Sequence, residues 1–132
     1  MDLRPVILGL NLCDQVIVEE RTKKVSLIGT FTGLGANKFP ALLPPFSVFA
    51  MLTDGVGSVT MKLSITYMDT NEVVYTYSGD LQFPDKVAEV AYHMRLRQCI
   101  LPAPGLYQFT LWIDNEWAAQ RRLRVYHKEV ET

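Results

Sequence analysis

At 132 residues, with 48% hydrophobic and 20% charged side chains, the chain has the composition of one globular domain that can bury about two thirds of its unfolded surface without disulfide or metal staples. Thirteen basic and fourteen acidic residues nearly cancel, so no global field draws in nucleic acid or an anionic membrane. No stretch approaches the roughly 18 apolar residues of a membrane helix, so a soluble, cytoplasmic protein is expected.

Taken in chain order, MDLRPVILGLNLCD has a short apolar run preceded only by Arg4 and interrupted by Asn11 and Asp14. It reads as a strand of the mature protein, not a cleaved leader. Cys13 and Cys99 then default to buried free thiols, a disulfide between them being the minority reading. QVIVEE and KKVSLIGTF flank Arg21-Thr22 as a hairpin. TGLGANKFPALLPPF, with three prolines and two glycines, is a long connection expected to carry the chain from one sheet to the other. Its apolar residues Leu34, Phe39, Leu42, Leu43 and Phe46 suit a lid over one end of the core or, alternatively, a contact surface for another chain.

In VTMKLSITY, Val59, Met61, Leu63, Ile65 and Tyr67 share a core face, and Thr60, Lys62, Ser64 and Thr66 a water face. Asp69-Thr70-Asn71 turns this strand into VVYTYSG. VAEVAYHMRLRQCI is expected to bury Val90, Tyr92, Met94 and Leu96 and to expose His93, Arg95 and Arg97. No segment sustains a helical period, no repeat is visible, and turn signals recur between seven or eight short strands. A sandwich or a closed barrel fits; the single antiparallel β-sandwich, immunoglobulin-like in outline, is favoured, as one domain over residues 1–126 with a flexible tail at 127–132. It is not an antibody-family domain, since no Trp lies between the cysteines and residue 97 is Arg where a Tyr would be required.

Residues 12–54, with Cys-Asp, Val-Ser-Leu-Ile-Gly, Phe-Pro and Pro-Pro-Phe, and residues 104–116, with Pro-Gly-x-Tyr-x-Phe, resemble a family of small single-domain bacterial proteins of unknown function. Members often carry a His before the double proline, where this chain has Leu43. The resemblance implies a β-sandwich-like domain and no catalytic residue.

Reaction chemistry is absent from the pattern. His93, His127, Cys13 and Cys99 stand at no zinc-ligand spacing. The aspartates near strand ends read as turn formers. His93 faces solvent among arginines, which lowers its basicity, and Asp14 disfavours a thiolate at Cys13. Glu19-Glu20 read as a solvated hairpin end. No nucleophile elbow, phosphate loop or paired carboxylate appears, so no enzyme, cofactor or metal is expected.

The last hairpin carries the binding expectation. If LPAPG turns residues 90–100 back onto 104–113, Leu96 faces Leu111, Met94 faces Ile113, and Arg95 and Arg97 lie opposite Trp112 and Thr110. A three-residue loop, Asp114-Asn115-Glu116, then keeps Leu123 and Val125 inward, buries Trp117 beside Ile113, and sets Arg122 outward opposite Gln108. A two-residue loop would instead put Trp117 beside Trp112 in solvent and turn Arg122 inward. The outer grouping is a solvated sheet face of Arg stems over Trp or a binding surface. The candidate contact residues are Arg95, Arg97, Trp112, Arg122, Leu42, Leu43 and Phe46. The function expected is a non-enzymatic protein-interaction module, self-association through an edge strand or the proline loop included, with no nucleic acid or membrane partner. The rival is a carrier of a small apolar or anionic ligand, whose cavity Tyr67, Tyr75, Tyr77, Tyr92 and Tyr107 would line.

Overall fold

The computed structural model describes residues 4–129, where the alternation resolves into eleven strands and no helix: β1 (Val6–Val18), β2 (Val25–Thr30), β3 (Gly33–Ala36), β4 (Ala41–Leu42), β5 (Phe46–Thr53), β6 (Gly57–Tyr67), β7 (Glu72–Phe83), β8 (Val90–Leu96), β9 (Ile100–Leu101), β10 (Gly105–Ile113) and β11 (Glu116–His127). A four-stranded sheet in the order β2-β1-β5-β8 faces a five-stranded sheet in the order β3-β11-β10-β6-β7, and β4 pairs with β9 at one end. The fold is an all-β sandwich, antiparallel except for β3 alongside β11. The hairpins expected around Arg21-Thr22 and around residues 69–71 are β1–β2 and β6–β7.

Period two decides what is buried. Leu10, Leu12, Val48, Ala50, Leu52, Met94 and Leu96 from one sheet meet Met61, Leu63, Ile65, Phe109, Leu111, Leu123 and Val125 from the other. Phe46 bridges them, edge-on to Phe109 at 6.1 Å and to Phe31 at 5.9 Å. The proline-rich connection leaves the four-stranded sheet after β2, lends β3 to the opposite sheet, and returns to its starting sheet as β5. It therefore does not transfer the chain between sheets, as expected from sequence, but straps one end of the core. Leu43 and Phe46 are only 7% and 4% exposed, and Leu34 and Phe39 pack at the margin.

LPAPG is not a hairpin turn. β8 pairs with β5, so Arg95 lies opposite Ser47 and Met94 opposite Val48. β10 pairs with β6, so Trp112 lies opposite Lys62 and Thr110 opposite Ser64. The expected pairs Leu96–Leu111, Met94–Ile113, Arg95–Trp112 and Arg97–Thr110 do not form. Alternation alone does not separate a hairpin from a crossover, because both leave the same residues inward. What holds the crossover is a pair of stacked tyrosines, Tyr67 and Tyr107, with ring centres 4.8 Å apart. The Tyr107 hydroxyl donates to Ala103 O at 2.6 Å and accepts from Ala103 N at 3.2 Å, while the Tyr67 hydroxyl donates to Pro104 O at 2.8 Å. Pro102 and Pro104 have no N–H for a ladder.

The final hairpin combines both registers weighed from sequence. Asp114 and Asn115 both have positive φ (49° and 66°) and form a two-residue turn with Ile113 opposite Glu116. A bulge follows: Trp112 opposes Trp117, but Leu111 opposes Ala119, so Ala118 is the extra residue. The tip thus obeys the two-residue register and the body the three-residue one, with Arg122 opposite Gln108 and Leu123 inward. Trp117, expected in the core, is 54% exposed. The tail expected from residue 127 begins inside β11, where His127 pairs with Ala36 and Lys128 N donates to Ala36 O at 2.8 Å. Residues 130–132 of that expectation lie outside the described residues.

The exposure of Trp117 sets a low cost for its removal. Trp117→Ala should change stability by no more than about 0.5 kcal/mol, as at ordinary surface sites. Phe109→Ala should cost about 3–5 kcal/mol. Denaturant titration of both variants checks this; a Trp117→Ala loss as large as that of Phe109→Ala would overturn the bulge.

Candidate functional site

Because β8 and β10 belong to different sheets, the cations and aromatics grouped from sequence divide between the two outer faces. On the four-stranded sheet, Arg95 folds across its own face, donating to Asp14 O at 2.6 Å and to Ser47 Oγ at 3.0 Å. His93 Nε2 lies 2.8 Å from the same Oγ. Ser47 Oγ thus accepts from Arg95 and shares a second hydrogen bond with His93, the donor in that bond being set by the imidazole tautomer. Burial first, then the Arg95 guanidinium, pushes the imidazole below its ordinary value. Sequence reasoning missed this hydroxyl–imidazole pair, since only the β5–β8 register brings Ser47 and His93 together. Ser47 has no exposed surface. Its oxygen is held by Arg95.

Arg97 lies beyond β8, where its carbonyl accepts from the Tyr75 hydroxyl at 3.1 Å. Trp112 and Arg122 do share a face, the outer one of the five-stranded sheet, and Trp117 joins them there. The Trp112 indole N–H donates to Ser64 Oγ at 2.9 Å. Of the proline-loop candidates, Leu42 is 65% exposed and paired with the exposed Ile100, whereas Leu43 and Phe46 belong to the core.

A further exposed apolar surface is one the sequence did not single out. From Asp14 to Thr30 no residue is buried. In this ribbon Val16 opposes Leu27 and Val18 opposes Val25. Ile17, Val18 and Ile28 are exposed. β2 is the outermost strand, so its second edge is open. The alternation of QVIVEE was legible, but not that the opposite sheet stops short of it.

Cavities lie at the ends of the sandwich. An open cleft of about 510 Å³ has Val59 and Ile113 in its floor, with Arg4 and Glu116, an ion pair at 2.9 Å, on its wall. A notch of about 70 Å³ beneath the proline loop is lined by Phe31, Leu43, Phe46 and Asp14 among others. The two thiols are free and buried; burial pushes Cys99 up to about 11 and raises Cys13 as well, so neither is a ready nucleophile. Among the described residues no cluster of three His, Cys, Asp or Glu could hold a metal ion. Nor is any helix there long and apolar enough to cross a membrane.

The Ser47–His93 contact has a pH consequence. The folded state holds His93 below its ordinary value near 6.5, so as pH falls through that value the unfolded chain takes up the proton first and stability declines. Melting temperature should therefore fall on acidification from neutral pH, more steeply in the wild type than in His93→Gln. Parallel curves for the two proteins would show that the contact does not titrate with folding.

A search of curated proteins finds no match. Among solved structures, the chain is similar to the CARDB domain of a protein from Pyrococcus furiosus, solved in complex with di-metal ions, at 13% identity and a TM-score of 0.45, over 97% of this chain and 99% of that one. A model of the family of unknown function DUF6941 matches residues 9–126, from the first strand to the last. The chain belongs to that family of unknown function.

Proposed function

We propose that the protein is a non-enzymatic protein-contact module that self-associates through the open edge of β2. The observation that carries this reading is the β1–β2 ribbon, which has apolar side chains on both faces and not one buried residue from Asp14 to Thr30. A lone two-stranded ribbon is at best marginally stable in water, and an open apolar edge is a template for another strand.

The edges at β7, β8 and the open half of β11 are guarded. β7 lies beside β8, with the Tyr75 hydroxyl donating to Arg97 O and Gly79 lying under the Tyr92 hydroxyl. On β11, β3 covers only Arg124–His127, and the half left open carries the half-buried Arg121 opposite Phe109, a charge that discourages strand addition. β2 has neither charge nor proline from Val25 to Phe31. Antiparallel pairing of two copies about Leu27 would align Val16 and Leu27 of each in one apolar row across four strands.

The carrier reading receives less support. Tyr67 and Tyr107 stack on each other and spend their hydroxyls on the crossover. The end cleft and the notch have no tyrosine in their lining. The inaccessible Ser47 hydroxyl supports a non-enzymatic role, and the free, buried thiols agree with a reducing, cytoplasmic setting.

Light scattering after size exclusion tests the proposal. Wild-type protein should run as a dimer or larger, and Leu27→Lys as a monomer whose stability is within about 1 kcal/mol of wild type, since no buried residue is replaced. A monomeric wild type at the highest soluble concentration, or an unchanged Leu27→Lys assembly, would refute it.

A further inference from the structure

We infer that the outer face of the five-stranded sheet, along β10 and β11, docks an extended acidic polypeptide segment carrying an apolar side chain. This surface is separate from the β2 edge and independent of it. At one end, Trp112 and Trp117 are cross-strand neighbours with Lys62 next in the row. Trp117 is exposed, and Trp112 is pinned by its bond to Ser64. Ser64 and Thr110 are outward-facing yet buried, at 6% and 4% exposure, so this part of the face is already packed and dry. Such an aromatic platform loses little freedom when a partner lands on it. Trp and Arg are also the side chains most enriched at contact hot spots.

At the other end stand Arg122, opposite Gln108, and Arg124, opposite Leu106. The side chains of Lys62, Arg122 and Arg124 make no ion pair or hydrogen bond among the described residues. Asp80, an acid on this face, lies opposite Thr60 on β7, two strands from β10. A chain with net charge −1 thus concentrates three uncompensated cations on one stripe. Guanidinium groups match carboxylates in a fork geometry. From Trp112 to Leu106 the strand runs about 20 Å, the reach of six or seven extended residues. Gln120, opposite Thr110, lies between the two ends, and Gln108 sits beside Arg122, where amides can meet a partner's backbone.

The arrangement favours a polypeptide over a nucleic acid. Single strands are held by aromatics spaced along the path, with cations following every phosphate. Here the indoles sit side by side at one end and two of the three cations gather at the other.

The test is fluorescence anisotropy with a labelled peptide whose central leucine pair is flanked on both sides by glutamates. Its all-glutamine counterpart and a labelled oligothymidylate are measured alongside. The glutamate peptide should bind, more weakly as salt rises. Replacing Arg122 and Arg124 by Glu should weaken it by about tenfold or more, and Trp117→Ala should weaken it as well. Should the double Glu variant fail to fold, Arg122→Gln with Arg124→Gln serves in its place, and melting curves certify each variant. No binding of the glutamate peptide, equal binding of the glutamine peptide, or affinity unchanged in the Arg variants would overturn the inference. Oligothymidylate binding as tightly as the glutamate peptide would overturn it too. Running the same titration on Leu27→Lys separates this surface from self-association.

Discussion

The arrangement depends on how the chain passes from β9 to β10. Pro102 and Pro104 cannot donate backbone hydrogen bonds there, and the stacked Tyr67 and Tyr107 supply hydroxyls in place of the missing ladder. Gly105, at φ 143°, lets the chain close in where a Cβ would press on the Tyr67 ring. Because this passage is fixed, β8 ends in one sheet and β10 begins in the other. Arg95 and Trp112 therefore look out from opposite sides of the molecule. A simple hairpin there would have merged the two outer faces into one.

Those faces have different characters. On the four-stranded sheet the polar groups satisfy one another: Arg95 bridges Asp14 and Ser47, and Ser47 bridges Arg95 and His93. In this closed network the buried Ser47 hydroxyl is held by the same guanidinium that reaches Asp14. On the five-stranded sheet the hydrogen bonds tie down the aromatic and leave the cations unspent. A family of unknown function is thus represented here by a fold whose interior is ordinary and whose informative features lie on its outer faces and open edges.

How much was legible in the sequence follows from what period two encodes. It names the inward residues strand by strand, as it did for Val59 to Tyr67 and for Met94 and Leu96. It does not encode which strand lies next to which, so the choice between hairpin and crossover at LPAPG could not be made from alternation. Nor does it encode where the opposite sheet ends; QVIV reads the same whether covered or bare. Trp117 was misplaced for a third reason. Each loop length kept one end of the hairpin correct, and only a bulge, which leaves no compositional mark at Ala118, satisfies both. The pairing of Ser47 with His93 carried no signal in the sequence.

The bulge at Ala118 gives the last hairpin two independent phases. Toward the base, inward positions are fixed by Leu123 and Val125 against the core; toward the tip, the outward position of Trp117 is fixed by the turn. A one-residue change in length between these regions would not merely lengthen or shorten the hairpin. It would turn one end inside out, carrying either an indole into the core or a guanidinium under it, while the other end stayed as it was. Substitutions at the tip can therefore reshape the molecular surface without consulting the interior, and the single extra residue acts as the gearing between a part built for stability and a part free to diversify.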